Sequence, residues 1–118
     1  MTTRRLSALY LAITLFASAA ALFVATPARA QSADATYSQN CAACHGSKGQ
    51  GDGPAGKYLK PPPSDFATSL KGKTDDWIAK AIKGGGAAIG ESPTMPAYAS
   101  LSDDQIKALV AYIKSFNP

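Results

Sequence analysis

The sequence predicts an all-α domain of three to four short helices joined by long loops rich in glycine and proline, and three observations carry this prediction. Segments 74–84 and 102–116 place apolar residues at the helical period, the second behind a full set of helix-start signals. No segment alternates apolar and polar residues as a half-buried strand would. The stretches 46–56 and 84–99 are punctuated by glycine and proline, which break regular structure.

The first thirty residues read as an address rather than as part of that fold. Arg4 and Arg5 precede an uncharged Leu/Ala/Phe-rich run, and Ala28-Arg29-Ala30 offers an A-x-A cleavage site. Residues 1–30 are therefore assigned to a signal peptide cleaved after Ala30, and residues 31–118 to a single domain in the periplasm. The run Leu6–Val24 approaches the roughly 20 apolar residues that span a bilayer, so an uncleaved anchor is the alternative. After cleavage no membrane span is expected. The paired arginines are followed by Leu6-Ser7-Ala8, which adds nothing to a twin-arginine signal, and general secretory export is the expected route. Once Arg4, Arg5 and Arg29 are gone, nine lysines face eight carboxylates, and the net charge falls from +4 to +1. No basic stripe interleaved with aromatics remains, which excludes nucleic acid as a partner. A domain of 88 residues is close to the size at which a protein core alone becomes marginal, so a non-protein group is expected at its centre.

The mature chain opens with a short helix over Ser32–Asn40. Ser32 is its N-cap, and Ala33, Tyr37, Cys41 and Cys44 follow one face. Five glycines within 46–56 then suit a loop wrapping closely around something, and Pro61-Pro62-Pro63 continues it as an extended piece. A middle helix starts at the N-cap Thr74, with Asp75 and Asp76 complementing the helix dipole, and ends at Gly84. Trp77, Ile78, Ala81 and Ile82 form its apolar face. The last helix starts from a capping box, Ser102 with Gln105, and Leu101 is placed to staple onto Ile106. Ile106, Leu109, Val110, Ile113 and Phe116 draw a single apolar stripe, for which the Tyr37 face is the expected partner.

Chemistry concentrates in Cys41-Ala42-Ala43-Cys44-His45, a C-x-x-C-H motif read as c-type haem attachment. Helical positions i, i+3 and i+4 share a face, so two thiols can bond the two vinyl groups while the adjacent imidazole reaches the iron. A thioredoxin-like pair would want a βαβ setting that the chain lacks. A disulfide is awkward within one helical turn. Zinc would need four ligands where the mature chain has two cysteines and one histidine. With Met1 in the leader and His45 already used, Met95 is the soft neutral ligand left for the second axial position. It sits in Ser92-Pro93-Thr94-Met95-Pro96, where prolines on both sides restrict the backbone. The competing reading is a methionine that fills an apolar gap, with iron five-coordinate or ligated by Lys or Tyr. Gly51-x-Gly53-x-x-Gly56 formally satisfies the dinucleotide fingerprint, but without the flanking strand and helix the match is accidental.

These residues together resemble the class I mono-haem cytochromes c. The resemblance runs over nearly the whole mature chain: Tyr37 ahead of Cys41-Ala-Ala-Cys-His45, Gly51-Asp52-Gly53-Pro54, Leu59-Lys60-Pro61-Pro62-Pro63-Ser64-Asp65-Phe66, Ser92-Pro93-Thr94-Met95-Pro96 and Leu109-Val110-Ala111-Tyr112-Ile113. It implies a cytochrome c-like fold around one haem c per chain, attached at Cys41 and Cys44 and ligated by His45 and Met95. It implies N- and C-terminal helices crossing near Tyr37, and one haem edge exposed for electron exchange. A backbone carbonyl of Pro61 or Pro62 would accept the Nδ1 proton of His45, and Leu59 would pack on the haem face. Phe66, Trp77, Ile82 and Tyr98 are the further candidates for the pocket lining, the alternative being that they are ordinary core residues.

Iron closed by His45 and Met95 suits electron transfer rather than catalysis, at a positive potential because Met/His ligation and burial both disfavour the ferric charge. The expected function is a monomeric periplasmic one-electron carrier between respiratory-chain protein partners. The alternatives are a haem c subunit of a larger dehydrogenase or oxidase complex, and an open-iron sensor or peroxidase-like protein. Lys48, Lys57, Lys60, Lys71, Lys73, Lys80 and Lys83 all lie between the haem motif and the methionine loop. They form either a basic rim for an acidic partner or an ordinary solvated surface.

Overall fold

A computed structural model describes residues 31–116. Five helices follow in order: α1 (Ala33–Asn40), α2 (Ala42–His45), α3 (Phe66–Ser69), α4 (Asp75–Gly84) and α5 (Asp103–Lys114). Short 3-10 turns lie at Gly56–Tyr58 and Gly86–Ile89, and there is no strand among the described residues. The domain is all-helical, as expected. No helix among the described residues is long and apolar enough to cross a membrane. The proposed leader and its cleavage point lie outside the described residues.

Local chemistry sets the helix starts. Ser32 accepts from the Ala35 N–H at 3.3 Å, Thr74 from that of Trp77 at 3.2 Å, and Ser102 from that of Gln105 at 3.2 Å. The Gln105 side chain returns a bond to the Ser102 N–H at 2.9 Å, completing the capping box. Four elements lie outside the sequence expectation: the separate helix α2, the helix α3 and the two 3-10 turns. Asp65 caps the one-turn helix α3 by accepting from Ala67 N–H at 2.8 Å, and the 84–99 loop contains the turn Gly86–Ile89. Each is too short to show a period, so the three to four expected helices become five.

The core lies where α1, α4 and α5 meet. Tyr37, Ile78, Ile82, Ile106, Leu109, Val110 and Ile113 form one buried cluster, with Leu101, Trp77, Tyr112 and Phe116 packed around it. Full burial of each such aliphatic side chain is worth about 1.5–3 kcal/mol. The Tyr37 ring meets Tyr112 at 5.5 Å and Phe116 at 5.2 Å, so the α5 stripe finds its expected partner. Tyr112 adds a hydrogen bond to Asp34 at 2.8 Å across the crossing. Helices α4 and α5 are also clamped at both ends, by Lys83 with Asp103 and Lys114 with Asp75. Each pair joins a basic last turn to an acidic first turn, the arrangement that opposed helix dipoles favour.

Candidate functional site

Helix α1 does not run on through the cysteines. Cys41 is both the C-cap of α1 and the N-cap of α2, with φ −117° and ψ −40°, so the C-x-x-C-H motif forms a separate turn. The Cys44 and His45 N–H groups both donate to the Cys41 carbonyl, at 3.1 and 2.9 Å. Downstream, the loop closes over this turn: Ala55 N–H donates to Ala43 O and Gly51 N–H to His45 O, both at 2.8 Å. The approach is close enough that a Cβ at Gly56 would sit 2.2 Å from the Cys44 carbonyl oxygen, so glycine is required there. Gly51, Gly53 and Gly56 thus serve a loop around α2, with no strand before them and no long helix after. The dinucleotide match is accidental in structure as well as in sequence.

Opposite this turn, the methionine loop packs on the end of α4. Gly86 N–H donates to Met95 O at 3.1 Å, and Tyr98 N–H to Ile82 O at 3.0 Å. A Cβ at Gly86 would lie 2.0 Å from the Ser92 carbonyl oxygen, so the loop can seat only over glycine.

Between these two walls is a cavity of about 400 Å³. All eleven residues singled out from the sequence line it: Cys41, Cys44, His45 and Met95, and also Leu59, Pro61, Pro62, Phe66, Trp77, Ile82 and Tyr98. Ile82 is the exception in character, since it belongs to the buried core as well. The lining also includes Leu70, Ile78, Ala81, Ile89 and Ile113, which sequence reasoning left out. Ile78 and Ala81 were legible as part of the α4 face. Leu70 and Ile89 sit in segments without periodicity and gave no such signal. The exposed Lys73 ammonium lies over the Trp77 ring, 4.4 Å from its centroid, at the edge of this lining.

The site is electrostatically apolar. Burial pushes the Cys41 thiol up to about 11, with Cys44 adding to the shift, and burial raises the Tyr98 phenol. Burial also lowers His45, which keeps its imidazole neutral and able to ligate a metal. No disulfide joins Cys41 and Cys44. Among the described residues no group of three or more His, Cys, Asp and Glu is placed to hold a metal ion.

One expectation is corrected. His45 Nδ1 is buried without a hydrogen-bond partner, so no Pro61 or Pro62 carbonyl accepts from it. Phe66 packs on the imidazole instead, with ring centroids 4.7 Å apart and planes inclined by 31°, an apolar neighbour with no acceptor to offer.

Two thiols, a neutral imidazole and a thioether around one apolar cavity fit the donor set of a haem c. Comparison with known proteins agrees. The family described as cytochrome c oxidase, cbb3-type, subunit III matches residues 28–113. The chain belongs to this family. It is a c-type cytochrome, and haem c and electron transfer come with that membership. The cytochrome is also 33% identical over 87 residues to the cbb3-type cytochrome c oxidase subunit CcoP of Azospirillum brasilense, covering 73% of this chain and 28% of that protein. It thus spans little more than a quarter of the length of that relative. No solved structure matches the cytochrome.

Proposed function

We propose that residues 31–118 form a single periplasmic domain carrying one haem c, and that it works as a haem c subunit delivering electrons one at a time to an oxidase of the cbb3 type. The observation that carries the haem site is the cavity that brings Cys41, Cys44 and His45 to face the Met95 loop. The likeness to CcoP supports the oxidase as partner. In this reading Cys41 and Cys44 would hold the group by thioether bonds, and His45 and Met95 would supply the two protein ligands to its iron. The bound haem supplies a reversible one-electron couple. The protein's residues set its character. Leu59, Phe66, Trp77 and Ile89 exclude water, and the low dielectric they create disfavours the extra charge of the oxidised state, which raises the potential. With Met95 as the second ligand, a small molecule would find no open position on the iron, so the site would suit electron transfer rather than gas binding.

A free periplasmic carrier is the second reading. It is favoured by the A-x-A site at Ala28-Arg29-Ala30. Fractionation of cells expressing the tagged full chain tests the choice. Co-purification with a detergent-solubilised oxidase is the expected result, and recovery only as a haem protein in the periplasmic fraction would overturn the subunit reading. The mass of the matured chain tests the leader and the haem together: cleavage after Ala30 plus one haem is expected. A mass without haem would refute the site.

A further inference from the structure

The break at Cys41 leaves a backbone group without its helical partner. In a continuous helix the Cys44 N–H would donate to the Asn40 carbonyl, but here it donates to Cys41. The Asn40 carbonyl is taken up from a distant segment: the Tyr98 hydroxyl donates to it at 2.7 Å, across 58 residues of sequence. Among the described residues this is the one hydrogen bond joining segment 92–100 to segment 31–46. The other fastenings of the methionine loop, Gly86 N–H to Met95 O and Tyr98 N–H to Ile82 O, reach only α4 and the turn after it.

We propose that Tyr98 is a positioning residue, whose phenol hooks the Met95 loop onto the carbonyl that immediately precedes Cys41. This rests on the reading of Met95 as an axial ligand. Only Pro96 and Ala97 separate Met95 from Tyr98, and Pro96 fixes its own φ, so holding Tyr98 restrains the thioether. A thioether is a weak neutral ligand. It competes with outside ligands through the effective concentration that its loop provides, and loosening the loop lowers that concentration.

Imidazole displacement measures this directly. The full-length, matured, oxidised cytochrome is titrated with imidazole, and loss of the far-red absorption band of a thioether–ferric iron bond is followed. In Tyr98→Phe, which keeps the ring and removes the hydroxyl, the half-displacing concentration is expected to fall about three- to tenfold, the range that one ordinary hydrogen bond supplies. Tyr112→Phe is the matched control, since it removes the exposed bond to Asp34 between α1 and α5 and leaves the loop alone. It should leave imidazole affinity unchanged. Pro96→Ala keeps the hook but frees the link, and should shift displacement in the same direction, which keeps the test open should Tyr98→Phe fail to mature. Wild-type affinity in Tyr98→Phe, or in Pro96→Ala where only that variant matures, overturns the proposal. An equal shift in Tyr112→Phe overturns it too, as a general effect of stability. Absence of the band in the unsubstituted protein overturns the Met95 reading, and the hook's role with it.

Discussion

Tyr37→Phe makes a sharp test of how the helix crossing is held, because its effect should change with pH in a calculable way. Tyr37 is 1% exposed, and its hydroxyl donates to the Gly46 carbonyl at 2.7 Å. Removing the hydroxyl deletes a buried hydrogen bond, but Gly46 O still accepts from the Gly49 N–H at 3.3 Å, so the acceptor is not orphaned. The cost at neutral pH is therefore about 1 kcal/mol, the ordinary net worth of such a bond. Burial also holds the Tyr37 phenol well above its usual value. Above pH ~10 the unfolded chain loses this proton while the folded chain keeps it, so the unfolded state binds fewer protons and stability falls as pH rises. One pH unit above the ordinary tyrosine value, the unsubstituted protein has given up about 1.4 kcal/mol that the phenylalanine variant never had to lose.

The two proteins should consequently be about 1 kcal/mol apart at pH 7 and level near pH 11. Denaturant unfolding of both haem-loaded proteins at pH 7, 9, 10 and 11 reads this out. Tyr98 and Tyr112 also titrate late, but they do so in both proteins and drop out of the difference. A gap that stays constant through pH 11 would refute the claim that Tyr37 is folded away as a neutral phenol.

Leu109→Ala removes a fully buried side chain from the α1–α4–α5 cluster and should cost about 2–5 kcal/mol, lowering the melting temperature of so small a domain by roughly 10 °C or more. Met95→Ala should lower the midpoint potential by on the order of 0.1 V, a modest part of the ~0.8 V range that axial ligands span, and let the reduced protein bind carbon monoxide rapidly. An unchanged midpoint with slow carbon monoxide binding would show that Met95 is not a ligand. Cys41→Ala with Cys44→Ala removes covalent attachment. Hydrogen exchange should then keep the amides of α1, α4 and α5 protected while those of 47–66 and 86–98 open, and equal protection throughout would show that the loops need nothing in the cavity.

What was legible in the sequence was local or periodic. Thr74, Ser102 and Gln105 announce their helix starts because a cap is a contact within four residues, and the α5 stripe is visible because one face of a helix repeats. The C-x-x-C-H motif carries its chemistry in five consecutive positions. What escaped depends on contacts between distant segments. The break at Cys41 leaves the Asn40 carbonyl to the Tyr98 hydroxyl, and no spacing rule reports a carbonyl taken up 58 residues away. The unpaired Nδ1 of His45 is of the same kind, since whether Phe66 or a proline carbonyl lies beside the imidazole is decided by tertiary packing. The cap Asp65 was readable, but a single turn behind it leaves no period to confirm it.

The distribution of burial explains why these segments depend on one another. The buried hydrophobic side chains belong to Tyr37 of α1 and to α4 and α5, and none comes from 46–70 or 85–100. In those two stretches the apolar side chains Leu59, Phe66, Leu70, Ile89, Met95 and Tyr98 are partly buried, and all of them line the cavity. The helices therefore have a core of their own, while the two loops gain most of their apolar burial from whatever the cavity holds. Backbone bonds to glycine seat each loop on a helix end, but among the described residues only the Tyr98 hydroxyl hydrogen-bonds the methionine loop to the segment that leads into the motif across the cavity. Thermal loosening should for that reason begin at the methionine loop, ahead of the helix crossing, because among the described residues a single hydrogen bond ties it across the cavity to the segment that leads into the haem motif.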